Sequence, residues 1–249
     1  MSTNPFGIDF GGSGIKGAPV DLDTGEFAAE RLRIETPDKA TPSAVADVVH
    51  ELLDRAEAPA DAPVGITVPG VVTHGVVRSA ANIDKAWIDQ DAERLFGERL
   101  ERRVTVINDA DAAGLAEARY GAAKDEHGLV IVTTLGTGIG SALVYDGVLV
   151  PNSELGHLEI DGHDAESRAA NSVREAKDWS WEKWAERLTT YYRAVEALFS
   201  PDLFVVGGGV SKHGDKFLPL IDIRTPIVPA TLRNTAGIVG AALLAHEHH

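Results

Sequence analysis

Apolar and polar positions alternate along the start of the chain with the short period of extended backbone. Phe6 to Phe10 and Ile15 to Leu22 read as strands joined by Gly11-Gly12-Ser13-Gly14. The turn Asp23-Thr24-Gly25-Glu26 then leads to a third strand over Phe27 to Ile34. The period changes next. Val45, Val48, Val49, Leu52 and Leu53 recur at helical spacing behind Thr41-Pro42, an N-cap followed by proline at the first helical position. Beyond an alanine-proline loop from Ala56 to Pro63, Val64 to Val68 reads as a strand ending at Pro69-Gly70. Val104 to Ile107 reads as another, running into Asn108-Asp109 and a helix from Ala110 to Tyr120 with Gly121 as its C-cap.

The opening layout then returns. Leu129 to Thr134, the turn Gly136-Thr137-Gly138 and Ile139 to Tyr145 repeat strand, glycine turn and strand. Asp146-Gly147 is a two-residue hairpin signal before Val148 to Val150. Trp181, Trp184, Leu188, Tyr191, Tyr192, Val195 and Leu198 describe a long amphipathic helix whose aromatics belong to a core or a subunit interface. Leu203 to Val206 is a short buried strand before Gly207-Gly208-Gly209, and Ala236 to Ala245 closes the chain as an apolar helix. A meander followed by alternating strands and helices predicts an α/β fold. Two related halves would each point a glycine turn at a shared cleft.

Composition narrows the function classes. The chain has 249 residues, 44% hydrophobic and 24% charged, as expected of a soluble globular protein. Met1 to Phe10 lacks a basic stretch followed by an apolar one, so no secretory signal is expected. No apolar run approaches the roughly 20 residues of a membrane helix. The expectation is a cytoplasmic protein without a membrane partner. The absence of cysteine excludes disulfides and thiolate zinc sites. A formal charge of −15 argues against nucleic acid as a partner, so a polyanion would need a local basic patch.

The glycine turns carry the first candidate chemistry. Gly11 and Gly12 let backbone N–H groups approach phosphate oxygens, while Ser13 adds a hydroxyl and Lys16 a cation. Asp9, at the strand end, suits Mg²⁺ directly or through water. A plain glycine hairpin is the alternative, and no Walker triplet is present. Gly136, Thr137 and Gly138 form a second cradle, and Gly208 and Gly209 follow a third strand, with Lys212 just beyond. Asp109 opens a helix whose N-terminus favours its ionised form. A carboxylate there either caps the helix or accepts a proton from an alcohol, and residue type does not separate the two.

Together these segments resemble the actin-like ATPase superfamily, of ribonuclease H-like fold, with its two phosphate segments and its adenosine segment. From Gly7 to Leu244 the chain is similar to the bacterial ROK (repressor, ORF, kinase) family of glucokinases, fructokinases and sugar-responsive repressors. The resemblance implies two lobes with a central cleft: residues 1–107 with the helix 234–249, and residues 108–233. It implies that Asp109 is the catalytic base and that Asn82, Asn108, Glu154, His157 and Glu166 bind the sugar. It also places Thr67-Val68-Pro69-Gly70 at the sugar site and leaves Glu159 as a competitor of Glu166. Many members carry a zinc site built by a histidine and several cysteines. This chain has no cysteine, so zinc is not expected, although His157, His163 and Asp161 could in principle hold a metal.

The lost zinc motif, the run Glu154 to Gly162 and the segment Asn82 to Trp87 narrow the resemblance to polyphosphate glucokinases. That implies glucose as acceptor, polyphosphate or ATP as donor, Mg²⁺ as cofactor and a homodimer. One independent hint supports the donor. From Ser211 to Arg233 the cations Lys212, Lys216, Arg224 and Arg233 outnumber Asp215 and Asp222. An ordinary solvated surface is the other reading of that window. A repressor would need a helix-turn-helix module, and with the first strand already at Phe6 none is expected. A non-catalytic sugar-binding module would not need Asp109. A mannose or fructose kinase stays open.

Overall fold

The computed structural model describes residues 3–80 and 83–248. The chain divides into two compact units, Met1–Ala112 with Thr235–His249, and Ala113–Asn234. The first contains β1 (Phe6–Gly11), β2 (Gly14–Asp21), β3 (Glu26–Phe27), β4 (Leu32–Ile34), α1 (Pro42–Arg55), β5 (Val64–Val68), β6 (Val72–Thr73), β7 (Val76–Val77), α2 (Ala92–Leu100) and β8 (Val104–Asn108). Helix α3 (Asp109–Tyr120) leads into the second. That unit holds β9 (Leu129–Leu135), β10 (Ile139–Tyr145), β11 (Val148–Val150), β12 (Glu159–Ile160), β13 (His163–Asp164), α4 (Glu166–Ala169), α5 (Asn171–Ala176), α6 (Trp181–Phe199), β14 (Leu203–Gly207), α7 (Gly214–Phe217) and β15 (Ile227–Pro229). Helix α8 (Ala236–Glu247) belongs to the first unit again.

The two main sheets share a plan. In the first, the order is β3-β2-β1-β5-β8, with β4 also on β2. β1 is antiparallel to β2 and parallel to β5, which is parallel to β8. In the second, the order is β11-β10-β9-β14-β15. β9 is antiparallel to β10 and parallel to β14, which is parallel to β15. Each unit thus sets a glycine-turn hairpin beside parallel strands, as the repeated sequence layout predicts.

In the first unit the period of two on β1 separates two faces. Phe6, Ile8 and Phe10 enter a core with Ile15, Val49, Leu52, Trp87 and Phe96. Phe10 and Phe96 flank Trp87 at ring distances of 5.7 and 6.1 Å, and the indole N–H of Trp87 donates to the Ala40 carbonyl at 2.8 Å. The alternate residues face α8. A Cβ on Gly7 would lie 1.9 Å from the Ile238 carbonyl oxygen, and one on Gly65 1.9 Å from that of Ala241. Ile238 and Ala241 lie one helical turn apart, so α8 rests directly on strand backbone. Gly240 meets the Ala112 carbonyl oxygen in the same way. An almost wholly apolar helix is thereby buried, as its composition requires.

In the second unit the buried stripe of α6 (Trp184, Leu188, Tyr191, Tyr192, Val195) covers the sheet. Trp184 meets Phe217 at 4.7 Å, and the Tyr192 hydroxyl bonds Thr133 Oγ1 at 2.7 Å, which satisfies a polar group within the core. Two buried carboxylates fix loops. Glu117 accepts N–H bonds from Ala122, Thr231 and Leu232, and Glu196 accepts them from Arg224 and Thr225. Burial alone would raise the Glu196 carboxyl, but the bonds from Thr225 and Arg224 hold it below its ordinary value. At Asp146-Gly147 both φ angles are positive, 47° and 79°, as a primed hairpin turn requires.

Two expectations need correction. Phe27 to Ile34 is not one strand. β3 and β4 pair separately with β2, and exposed Ala28 to Arg31 between them offers no apolar side chain to a sheet face. Leu198 is 64% exposed, because Val195 and Glu196 take the buried places of the last turn before α6 ends at Ser200, φ 46°. Helix α2 is additional to the expected elements. Asp91 caps it, and Ala92, Phe96 and Leu100 bury one face.

The close contact at Gly65 has a measurable consequence. Gly65→Ala should destabilise the protein by at least about 1–3 kcal/mol through overpacking against backbone. Gly97→Ala, in the interior of α2 with its nearest added contact at 3.4 Å, should instead stabilise by up to about 1 kcal/mol. Urea midpoints of the two variants check the opposite signs.

Candidate active site

The first unit places Asp9 opposite Lys16 in the β1–β2 register, with Nζ 3.5 Å from Oδ2. Thr67, on the neighbouring β5, donates its hydroxyl to Asp9 Oδ1 at 3.2 Å and accepts the Phe10 N–H at 3.1 Å. The carboxylate is therefore held from two strands. Gly11 and Gly14 pair to close the turn, leaving Gly12 and Ser13 exposed at its tip. Thr36 Oγ1 donates to the Gly11 carbonyl and Arg33 Nη2 to the Ser13 carbonyl, both at 2.6 Å.

Asn108 and Asp109 sit where β8 becomes α3. Asn108, 8% exposed, accepts the N–H groups of Ala110 at 2.8 Å and Asp111 at 3.1 Å. Its amide donates to the Gly70 carbonyl at 3.0 Å. Asn108 thus caps α3 and ties it to the Gly70 carbonyl. Asp109, partly buried in the first helical turn, accepts the Ala110 N–H at 2.9 Å. The Gly70 end of the Thr67–Gly70 stretch is fixed as well, since Ser79 Oγ accepts the Val71 N–H at 2.9 Å. Asn82 lies outside the described residues.

The second unit gathers more of the predicted residues. The turn Gly136–Gly138 closes on itself through Gly136 N–H to the Gly138 carbonyl, 3.0 Å, with Thr137 exposed at its tip. Glu166, at the start of α4, accepts the Ile139 N–H at 3.0 Å. Ser172 donates its N–H to the Gly136 carbonyl and its hydroxyl to that of Thr137, at 3.1 and 2.6 Å. The turn Glu154–His157 lies against the same strand end. A Cβ on Gly156 would come 2.1 Å from the Ile139 carbonyl oxygen, and Leu155 N–H donates to Ser141 Oγ at 2.9 Å. Gly208, φ 82°, lies against Leu135, where a Cβ would be 2.4 Å from its carbonyl oxygen. Gly136, Gly138, Glu154, His157, Glu166 and Gly208 thus converge on one glycine turn. Gly209 follows with open space above it, and Lys212 is exposed on the next turn.

Electrostatics distinguish Glu154 and His157. His157 Nδ1 lies 2.7 Å from Asp164 Oδ2, and Nε2 lies 3.9 Å from Glu154 Oε2. The first is a hydrogen bond. The second is too long for one, but a hydroxyl between the two atoms could accept from the ring and donate to the carboxylate. The bond to Asp164 raises the His157 pKa above its ordinary value. Desolvation opposes this, and the charges of Glu166, Asp164 and Glu154 reinforce it. Partial burial raises the Glu154 carboxyl, with His157 acting against the rise and Glu166 for it. Asp164 went unread in the sequence. Asp161 and His163 are exposed, while the groups that close on His157 are Asp164 and Glu166, with ligand-capable atoms within 4.8 Å.

Comparison with known proteins gives a consistent picture. The model of the ROK family matches residues 5–172. Polyphosphate glucokinase of Mycobacterium tuberculosis is 55% identical over 239 residues, 96% of this chain and 89% of that protein. The crystal structure of inorganic polyphosphate/ATP-glucomannokinase from Arthrobacter sp. strain KM superposes with a TM-score of 0.95 at 56% identity, covering 100% of both chains. A ROK family glucokinase from Streptomyces griseus, crystallised with glucose and AMPPNP, gives 0.83 at 25% identity, covering 98% of this chain and 99% of that one. The fold is thus the actin-like α/β fold of these kinases.

The cap at Asn108 can be tested independently of any ligand. Asn108→Ala should cost about 1–2 kcal/mol, whereas Asn108→Asp keeps the cap and loses less. Urea denaturation of both variants measures the difference.

Proposed function

The chain belongs to the ROK family, and from that premise we propose that it transfers a phosphoryl group from inorganic polyphosphate to the 6-hydroxyl of glucose, giving glucose 6-phosphate, with ATP as a secondary donor. The observation that carries this reading is 55% identity to a polyphosphate glucokinase over 96% of the chain. In this reading Glu154, His157 and Glu166 bind the sugar hydroxyls, and one hydroxyl bridges His157 Nε2 and Glu154. Asn108 adds its remaining amide N–H. Asp109 accepts the 6-hydroxyl proton as the oxygen attacks phosphorus.

The glycine turns at Gly11–Ser13, Gly136–Gly138 and Gly208–Gly209 present N–H groups to donor phosphates, with Lys16 as a fixed cation. Asp9 fits a hard divalent cation: its side chain is 23% exposed, one oxygen accepts from Thr67, and the nearest ammonium stands at 3.5 Å. Mg²⁺ held there would neutralise charge on the donor phosphates. Of the cations after Gly209, Arg224 is drawn to buried Glu196 at 3.3 Å. Lys212 and Lys216 stay exposed and support an anionic polymer as donor. Lys216 also lies over the Trp181 ring at 5.7 Å. The same reading carries a homodimer and a cytoplasmic location. A second acceptor, mannose, is favoured by the likeness to a glucomannokinase.

Purified protein with glucose, Mg²⁺ and polyphosphate should produce glucose 6-phosphate in a coupled dehydrogenase assay. Asp109→Asn should lower turnover roughly 10²–10⁴-fold while calorimetry finds glucose affinity retained. Near-native turnover in the folded variant would remove Asp109 from the chemistry.

A further inference from the structure

A histidine that reads a hydroxyl must present one nitrogen in one protonation state. His157 has a side chain 47% exposed and sits in the three-residue turn Leu155–His157, which offers little to hold it. The holding contact comes from β13, where Asp164 Oδ2 lies 2.7 Å from Nδ1. An ionised carboxylate only accepts, so Nδ1 carries a proton and Nε2 is the atom beside Glu154. We propose, resting on the glucose reading above, that Asp164 is the positioning residue of the sugar clamp: it accepts from Nδ1 and fixes the ring of His157 so that Nε2 meets a glucose hydroxyl.

Three charged groups face the ring: Asp164 from β13, Glu154 from the turn before it and Glu166 from the start of α4. All three favour the cation, but they are not equivalent. Glu154 stands at 3.9 Å and Glu166 is tied to the Ile139 N–H, so Asp164 alone makes the close contact to the ring. Asp164 has a second task. Its Oδ1 accepts the Ser167 N–H at 3.2 Å and its carbonyl accepts the Ser167 hydroxyl at 2.6 Å, which anchors the start of α4. A purely structural part would end with that anchor.

Asparagine separates the two tasks. It caps a helix about as well as aspartate, so Asp164→Asn can keep its oxygen on the Ser167 N–H. The amide NH₂ then faces Nδ1, which reverses the tautomer and removes the charge. Ser167→Ala removes the hydroxyl part of the anchor and leaves the contact to His157 intact.

The test measures kcat and KM for both substrates across neutral and alkaline pH, together with an NMR titration of the His157 ring in glucose-free protein. Asp164→Asn should raise the glucose KM by about tenfold or more, the loss expected when a charged hydrogen bond goes, with the polyphosphate KM unchanged within about twofold. Its His157 should titrate at lower pH than in the native protein, and the alkaline fall of kcat/KM for glucose should move the same way. Ser167→Ala should keep the native glucose KM and pH profile. A native His157 titration and pH profile in Asp164→Asn, or the same defect in Ser167→Ala, overturns the proposal. A native protein that phosphorylates no hexose would sink the glucose reading instead, and the titration, which needs no turnover, tells the two failures apart.

Discussion

Backbone set directly on backbone is the constraint from which the second unit's share of the site follows. Gly156 touches the Ile139 carbonyl and Gly208 the Leu135 backbone, each at a distance that no side chain allows. Leu135 and Ile139 are the two ends of one glycine turn. The proposed hydroxyl clamp and the proposed phosphate cradle therefore take their positions from the same few peptide groups. Such contacts are stiff, because they set loop backbone against strand ends already locked in a sheet ladder and offer no rotamer to relax. The first unit uses the same device for support, where α8 lies on the backbone of β1 and β5.

Charge is arranged against the same frame. A protein with a formal charge of −15 repels polyanions in general, and the clamp concentrates this further by placing Glu154, Asp164 and Glu166 around one imidazole. Those carboxylates suit an uncharged polyol, whose hydroxyls donate to them. A phosphate chain must be met elsewhere, by N–H groups of glycine turns and by a few exposed cations. The two substrates of the proposed reaction thus call for opposite local potentials, and the residues after Gly207 differ from the clamp in that sense.

Much of this was legible in the sequence wherever the information was local. The repeated strand, glycine turn and strand gave both hairpins, and Thr41-Pro42 and Asp146-Gly147 announced their cap and turn. Asn108-Asp109 and Glu154–His157 stood out as candidate chemistry because each is a short motif. What escaped depends on contacts between distant segments. Asp164 reaches His157 only through the two-residue pairing of β12 with β13. Arg224 counted as a free cation until buried Glu196 claimed it. Capping and catalysis could not be told apart at Asp109 from residue type, and it took the bonds made by Asn108 to assign the cap. Helix α2 is a different case. Its Asp91 cap and its apolar spacing were present in the sequence, but nine residues gave the pattern too few turns to stand out.

This ROK protein is built to take phosphate from a polymer. Steady-state kinetics with glucose, comparing polyphosphate and ATP at low and moderate salt, test it most directly. Polyphosphate should give the higher kcat/KM, and its KM should rise with ionic strength and with loss of Lys212 or Lys216. A higher kcat/KM for ATP, with polyphosphate use indifferent to salt and to both lysines, would contradict it.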